Sequence, residues 1–158
     1  MSQMVPQPTA ESYAPPSVRQ FSVFLDNRVG KLLEMVELFD DADDVHLCGF
    51  SVLESSDYAV VRIIPSNADA ARTLLREHNM AFSEVDLLIV ELCEGQTLSR
   101  MCLYLLGAEL SIRFAYPLML RPRGDNTPTI ALAVDDHVLA GVILRQKSFR
   151  LLGEAELP

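Results

Sequence analysis

The feature of the sequence that most constrains its fold is an internal repeat. From Gln20 onward, the periodicity of apolar residues predicts the order strand, helix, strand, strand, helix, strand. The second half predicts the same order again, with Leu98 matching Leu32 and Leu110 matching Val45 at an offset of about 65 residues. A repeat of this length indicates one supersecondary unit present twice, so the chain should fold as two similar modules.

The repeat predicts an α+β fold with two tandem βαββαβ modules. We place the first module at residues 20–87 and the second at residues 88–158. Residues 1–19 are rich in proline and small polar residues and predict a flexible N-terminal tail, because they cannot bury enough apolar surface to become ordered. The stretch from Phe82 to Leu92 has no turn signal, so the last strand of the first module should continue directly into the first strand of the second.

Several local patterns give more specific predictions. Ser66, followed three residues later by Asp69, predicts a capping-box-like start for the second helix. Alternation predicts a long strand at 110–120, and the run 121–128, which contains glycine and proline, predicts a hairpin. Arg62 alternates with apolar residues within a strand. It could clamp a carboxylate of a ligand, or lay its alkyl chain on the sheet and pair with a nearby acid, and we prefer the second interpretation.

Charge and hydropathy argue against several classes of protein. The formal net charge of −9 disfavours a nucleic-acid partner, which needs a basic surface. The apolar run from Val138 to Leu144, like every other in the chain, is far shorter than the ~20 residues that cross a bilayer, so we expect no membrane partner. This run is apolar on nearly all sides, so other residues should cover it. The first residues show no charged start followed by an apolar stretch, so we expect no secretory signal, and three cysteines without a CxxC pair predict reduced thiols and a cytoplasmic location.

No signature of catalysis is evident in the sequence. It contains no GxSxG elbow, no HExxH pair, no glycine-rich phosphate loop and no local Cys–His pair. The acidic runs at 40–44 and 135–136 fall at predicted helix ends, where capping and solvation explain them. Cys48 and Cys102 fall at positions that we expect to be buried. We therefore predict a protein that is not an enzyme and uses no cofactor and no metal.

The first strand-to-helix turn, Asp26 to Gly30, is the most informative segment for function. A helix start leaves backbone N–H groups unpaired, and the helix dipole there favours a carboxylate. Gly30 would let a ligand approach the backbone closely because it has no Cβ. Asp26 and Asn27 could hold an ammonium group or an amide. On spacing alone, however, these two residues could simply cap the helix, and Gly30 could simply permit the turn.

The run VFLDNRVGKLL, followed after the helix by VHL, resembles the ACT-domain pattern of a strand, an (E/D)-N-x-P-G-x-L turn and an I-N-I strand. The resemblance covers residues 20–157, and it is closest to proteins that consist of two tandem ACT domains. It implies ferredoxin-like modules with antiparallel sheets and the helices on one face of each sheet. It also implies that a free amino acid binds at the turn, beside residues that match the family's ligand loop and the start of its second strand: Asp26, Asn27, Arg28, Val29, Gly30, Leu32 and His46.

The sequence departs from this family pattern at several positions. Val29 replaces the usual proline, and His46 replaces an asparagine that often contacts the ligand. In the second module Gln96 stands where glycine is expected, and Ser111 matches His46. The second module therefore looks less suited to bind a ligand, and we place the binding site in the first.

The resemblance implies a non-catalytic regulatory protein, in which a bound amino acid favours one arrangement of the modules and a partner detects that arrangement. The alternative is a regulatory or interaction subunit of a metabolic enzyme without a ligand of its own. A sheet with one helix-free face, carrying residues such as Phe24 and Tyr58, is too apolar to stay exposed. This predicts that the face packs on the sister module and that the protein forms a homodimer.

Overall fold

The structure is a computed structural model that describes residues 15–26, 30–54, 57–119 and 127–158. The first module contains β1 (Val18–Asp26), α1 (Lys31–Asp40), β2 (Leu47–Glu54), β3 (Tyr58–Pro65) and α2 (Ala68–Glu77), followed by β4 (Ala81–Glu91). The second contains α3 (Leu98–Gly107), β5 (Ile112–Pro117), β6 (Thr129–Val134), α4 (His137–Gln146) and β7 (Arg150–Leu152), with a short 3-10 helix at Glu154–Glu156. This is the predicted βαββαβ order, found twice.

The long strand β4 belongs to both modules. Its pairing with β1 ends at Leu87, opposite Val18, and its pairing with β6 begins at Leu88, opposite Leu132. The C-terminal part of β4 also pairs with β7. Every strand pair is antiparallel, in the order β2-β3-β1-β4-β6-β5, so the predicted direct continuation from one module to the next is confirmed. The domain boundary at 87/88 stays a prediction, although the strand changes partners at that point.

Each module builds a core between its two helices and one face of its strands. In the first, Phe21 and Val23 of β1 pack against Met35 and Phe39 of α1 and Leu75 of α2. In the second, the corresponding cluster of strand and helix residues comprises Leu88, Val90, Met101, Leu105 and Leu144. The strand residues alternate because successive side chains point to opposite faces, so each sheet keeps a helix-free face. The α+β, ferredoxin-like fold is thus confirmed.

A third core lies on the helix-free faces, between the two modules. It contains Val18 and Ile64 of the first module with Tyr116 and Ala131 of the second. The hydroxyl of Tyr116 donates a hydrogen bond to Oε1 of Gln20 at 2.6 Å, and Gln20 is fully buried. Burial raises the pKa of Tyr116 above its usual range, so the phenol stays protonated and able to donate.

The expectations for exposed apolar residues are met only in part. The outer end of the helix-free face of module one remains half-exposed, with Phe24 and Tyr58 in an edge-on contact. In α4, Ala140 and Leu144 are buried, but Leu139 and Val142 are not fully covered. None of the helices in the described residues is long and apolar enough to cross a membrane.

Several local predictions are corrected by tertiary contacts. The N-cap of α2 is Asn67, whose side chain accepts from the N–H of Ala70, while the hydroxyl of Ser66 accepts from the N–H of His46. The predicted strand at 110–120 is ordered as β5 over a shorter span, and β1 starts at Val18, inside the predicted tail. Most of the predicted hairpin at 121–128 lies outside the described residues, and so do the first 14 residues of the tail.

Candidate functional site

The predicted ligand loop lies where β1 ends and α1 begins, a region we call the first corner (Asp26 and Gly30). Asp26 is the exposed last residue of β1, and Asn27, Arg28 and Val29 lie outside the described residues. Gly30 is the N-cap of α1 and has φ of 91°, a left-handed conformation that favours glycine. Apart from its chain neighbours, no residue that the structure describes comes within 4 Å of a Cβ placed at Gly30.

The first corner differs from the starts of the other three α-helices that the structure describes. The first-turn amides of α2, α3 and α4 each receive a side-chain cap, from Asn67, Thr97 and Asp136 respectively. At α1, Gly30 supplies no side-chain cap bond within the described residues. Helix N-terminal N–H groups carry partial positive charge, so an uncapped start is the one best able to accept a carboxylate.

A groove of about 260 Å³ lies beside the first corner. Its wall combines the end of β1 and the start of α1 with the turn from α2 to β4, which contributes His78 and Asn79. Lys31 and Glu34 form an ion pair across one side of the groove, with Nζ 3.4 Å from Oε2. Groups of both charges, including Asp26, therefore face one small space. Sequence reasoning did not assign Lys31, Glu34 or His78 to this groove. His78 reaches the end of β1 because the strand that follows it, β4, pairs with β1 in the sheet.

Of the other predicted ligand residues, Leu32 lies near the corner and His46 does not. Leu32 is partly exposed in the first turn of α1. Asp26 pairs with Tyr58 at the start of β3, whereas His46 hydrogen-bonds through its backbone to Ser66, just after β3 ends. About 25 Å of strand therefore separates Asp26 from His46 within one chain. Joint contact with one ligand inside a single module is excluded by this separation.

The last residues of the chain occupy the surroundings of His46. The Nε2 atom of His46 contacts the carbonyl oxygen of Pro158, and the Cys48 thiol lies 3.9 Å from the same oxygen. Glu154 accepts a hydrogen bond from the N–H of Ala68 at 2.9 Å, which adds a carboxylate to the start of α2. The C-terminal segment of module two thus fastens onto module one. Burial raises the pKa of the Cys48 thiol to about 11, as expected for an unreactive cysteine.

The matching turn of module two, which we call the second corner (residues 94–97, including Glu94), is closed by the side chain of Gln96. Gln96 Oε1 accepts from the N–H of Cys93, and Gln96 Nε2 donates to the carbonyl of Ser148, both at 2.9 Å. A larger cavity of about 620 Å³ lies beside this turn, lined in part by Leu92, Leu98 and Pro128. We nevertheless favour the first corner, because at the second corner the amide of Gln96 and the hydroxyl of Thr97 already hold the turn.

Two other predictions can be compared with the structure. The guanidinium of Arg62 lies 3.9 Å over the ring of Phe114, so it stacks on the second module instead of on its own sheet. Cys48 is buried as expected, but Cys102 is exposed on the outer side of α3. Both differences arise because sequence periodicity predicts which residues share one face of a helix or strand, but not which other element packs against that face.

Comparisons with known proteins agree with this architecture. The family profile described as an ACT domain pair matches residues 16–148. A search of curated protein sequences finds no match. Among solved structures, protein BT0572 from Bacteroides thetaiotaomicron superposes with a TM-score of 0.79 at 22% identity, covering 92% of this chain and 98% of that one. The ligand-free regulatory subunit of aspartate kinase from Thermus thermophilus superposes with a TM-score of 0.53 at 8% identity, covering 82% of this chain and 89% of the other. Since the family match spans most of the sequence, the chain belongs to the ACT domain pair family.

Proposed function

We propose that this protein is a non-catalytic regulator that binds a free amino acid at the first corner. The observation that supports the proposal is that, among the described residues, the start of α1 at Gly30 has no side-chain cap and no atom within 4 Å of a Cβ placed there, whereas the other described α-helices start with side-chain caps. A carboxylate of the ligand would lie against the first-turn amides of α1. Its ammonium group would lie against Asp26.

The charges around the groove support a zwitterionic ligand. Asp26 and Glu34 provide acceptors for an ammonium group, and Lys31 adds a positive charge on the carboxylate side. His46 enters such a site only if another subunit brings it there, because it lies at the far end of its own module. This is one reason to propose that the regulator works as a homodimer. All three cysteines are free thiols, which supports a cytoplasmic location.

The proposal is tested by a thermal-shift panel of the twenty amino acids with the full chain. A ligand that binds only the native state increases the free energy of unfolding by mass action, by about 2.7 kcal/mol at a ligand concentration of a hundred times Kd. The melting temperature rises as a result. We expect one or a few amino acids to raise it. Asp26→Asn should weaken the binding of that amino acid at least tenfold, as judged from the concentration needed for the same rise in melting temperature. Glu94→Gln, the same charge change at the second corner, should leave its binding unchanged.

Two results would contradict the proposal. If no amino acid at millimolar concentration changes the melting temperature, the first corner is not an amino-acid site. If Glu94→Gln abolishes the response and Asp26→Asn does not, the ligand binds at the second corner instead.

The second candidate function is a regulatory subunit of a metabolic enzyme that binds no ligand itself. It is favoured by the apolar outer surface of α3, where Leu103 and Leu106 are exposed. Exposed apolar surface of this kind marks interaction sites. Co-purification of an enzyme with the tagged protein, together with a flat amino-acid panel, would support this function over the first.

A further inference from the structure

The residues just before β1 pack on the second module, and we call residues 15–17 the N-terminal segment. Pro15 is buried although it precedes the first strand, and it lies against Gly141 in the middle of α4. A Cβ on Gly141 would overlap Cβ and Cγ of the Pro15 ring, and it would lie 3.5 Å from Cδ1 of Leu151 in β7. The space that a side chain would need at Gly141 is therefore filled by a proline ring.

The backbone of α4 gives no other reason for a glycine at this position. Among the glycines that the structure describes, Gly30 and Gly95 have positive φ, so Gly141 has a conformation that alanine also adopts. Glycine in a helix interior destabilises the helix relative to alanine. Alanine at this position would remove the space for Pro15. We therefore interpret Gly141 as the seat of the N-terminal segment.

The residues after β7 make the reverse crossing, from module two to module one, and we call residues 153–158 the C-terminal segment. Glu154 accepts a hydrogen bond at 2.9 Å from the N–H of Ala68, the first residue of α2. Leu157 packs on the core between the modules, and the carbonyl of Pro158 contacts Nε2 of His46. Each module is thus in contact with a terminal segment that continues from a strand of the other.

The two segments touch where they cross. Strand β1 begins at Val18 and β7 ends at Leu152, and the partners of these two residues in β4 are two residues apart. Proline has no N–H to donate, so β1 does not extend back over Pro16. A Cβ on Gly153 would lie 3.6 Å from Cβ of Pro16. The N-terminal segment therefore covers the point at which the C-terminal segment leaves the sheet.

We propose that these two segments form a latch across the module boundary, in which the seat of Pro15 on Gly141 keeps the C-terminal segment on module one. When Pro15 leaves its seat, Pro16 moves with it and uncovers Gly153. The C-terminal segment is then released, which frees the first N–H of α2 and the side chain of His46. Both module cores stay packed, because neither segment belongs to them. The latch is a conformational device in which a movement on module two changes the surface of module one.

The seat is tested by a double-mutant cycle on the full chain, read from melting temperatures. Gly141→Ala should lower the melting temperature, because the new Cβ displaces the Pro15 ring. In a Pro15→Gly background the same change should leave the melting temperature unchanged or raise it, because alanine is favoured in a helix and no ring opposes it. Gly107→Ala is the control and should not lower the melting temperature, since no described atom lies within 4 Å of a Cβ there.

The coupling between the segments is tested by hydrogen exchange of single backbone amides, measured by NMR. The N–H groups of Ala68 and Leu157 both bond to Glu154 in the natural chain. Gly141→Ala should speed the exchange of both about tenfold, and it should stay faster than exchange of the β3 amides, which requires opening of the core. Pro15→Gly removes the ring without adding an atom, so it should speed the same two amides even if Gly141→Ala does not fold.

Two results would overturn the proposal. If Gly141→Ala fails to lower the melting temperature of the natural chain, Pro15 is not seated on α4 in solution. If Ala68 and Leu157 exchange at their natural rates in both variants, the two segments open independently and form no latch. Neither measurement uses an amino acid, so the result does not depend on the ligand site proposed at the first corner.

Discussion

Helices α1 and α3 share one sequence pattern but lie in different surroundings. Their buried sides correspond residue for residue, as Met35 and Phe39 match Met101 and Leu105. Their starts differ, because within the described residues α1 has no side-chain cap at Gly30, while α3 is capped by Thr97 and the turn before it is held by Gln96. The comparison teaches that the two modules share the buried positions that a module needs in order to fold. Positions that folding leaves free differ between the two helices, and the start of α1 is where we propose ligand binding.

The strongest test of this comparison removes one buried residue from each helix. Phe39→Ala and Leu105→Ala should each destabilise the protein by roughly 2–5 kcal/mol, since both side chains are fully enclosed and their loss leaves a cavity. Denaturant unfolding measures the change, and Glu37→Ala serves as an exposed control with less than about 0.5 kcal/mol. If either core variant costs less than about 1 kcal/mol, the two buried sides are not equivalent.

A second test asks whether the two modules unfold as one unit. Tyr116→Phe removes the donor to Gln20 and leaves a buried amide oxygen without this partner, so we expect a loss of roughly 1–3 kcal/mol. Because the bond joins the modules, a single unfolding transition should move as a whole. The half-exposed Tyr58→Phe is the control and should change little. Two separate transitions, with only one displaced, would mean that the modules are thermodynamically independent.

The difference between the helix starts gives a smaller effect. Thr97→Ala removes the side-chain acceptor of the Arg100 N–H and should cost about 1 kcal/mol. Thr97→Ser keeps that acceptor and should retain most of the stability. Thermal unfolding of the two variants measures this, and equal losses for serine and alanine would show that the hydroxyl is not the capping group.

The smallest effect concerns how each module holds its second helix. Arg72 of α2 donates to Glu84 of β4 at 2.6 Å, whereas α4 packs its Gly141 directly against Pro15. The hydrogen bonds and charge of Arg72 lower the pKa of Glu84 below its ordinary value of about 4.3. The resulting stability is present above that ordinary value and is lost as the pH falls through the lower folded value.

Melting temperatures between pH 7 and pH 3 measure this contribution. Glu84→Gln should lie below the natural chain at pH 7, and the gap should narrow toward pH 3. Glu77→Gln, an exposed change on the same helix, should follow the natural chain throughout. A gap that stays constant with pH would mean that the carboxylate charge is not what Arg72 stabilises.

The fold was largely predictable because its signals are local or repeated. Apolar periodicity predicted the order of the described α-helices and strands along the chain, and the missing turn signal before Leu92 predicted the continuous β4. Element ends were less predictable, as at α2, where Asn67 caps the helix because Ser66 bonds to His46 across the sheet. A side chain with a long-range partner is not available for its local role.

The candidate site was predictable in only one of its parts. The turn at Asp26 and Gly30 is a sequence feature, and the structure adds Lys31, Glu34 and His78 around it. His46 illustrates the limit, because family resemblance assigns it to the ligand while the chain places it at the opposite end of β3, against Pro158. Its role at a ligand stays a prediction that depends on a second subunit.

The sequence by itself determined that two βαββαβ modules form, because hydrophobic periods of two and 3.6 residues specify which side of each element must be buried. It also predicted the strand-to-helix turn from Asp26 to Gly30. Only the tertiary structure decided that Tyr116 meets Gln20, that Arg62 stacks on Phe114, and that Leu103 remains uncovered. The physical reason is that the local pattern of apolar residues determines which side chains must be buried. The residues that bury them are distant in the chain, so only the folded structure determines which ones they are.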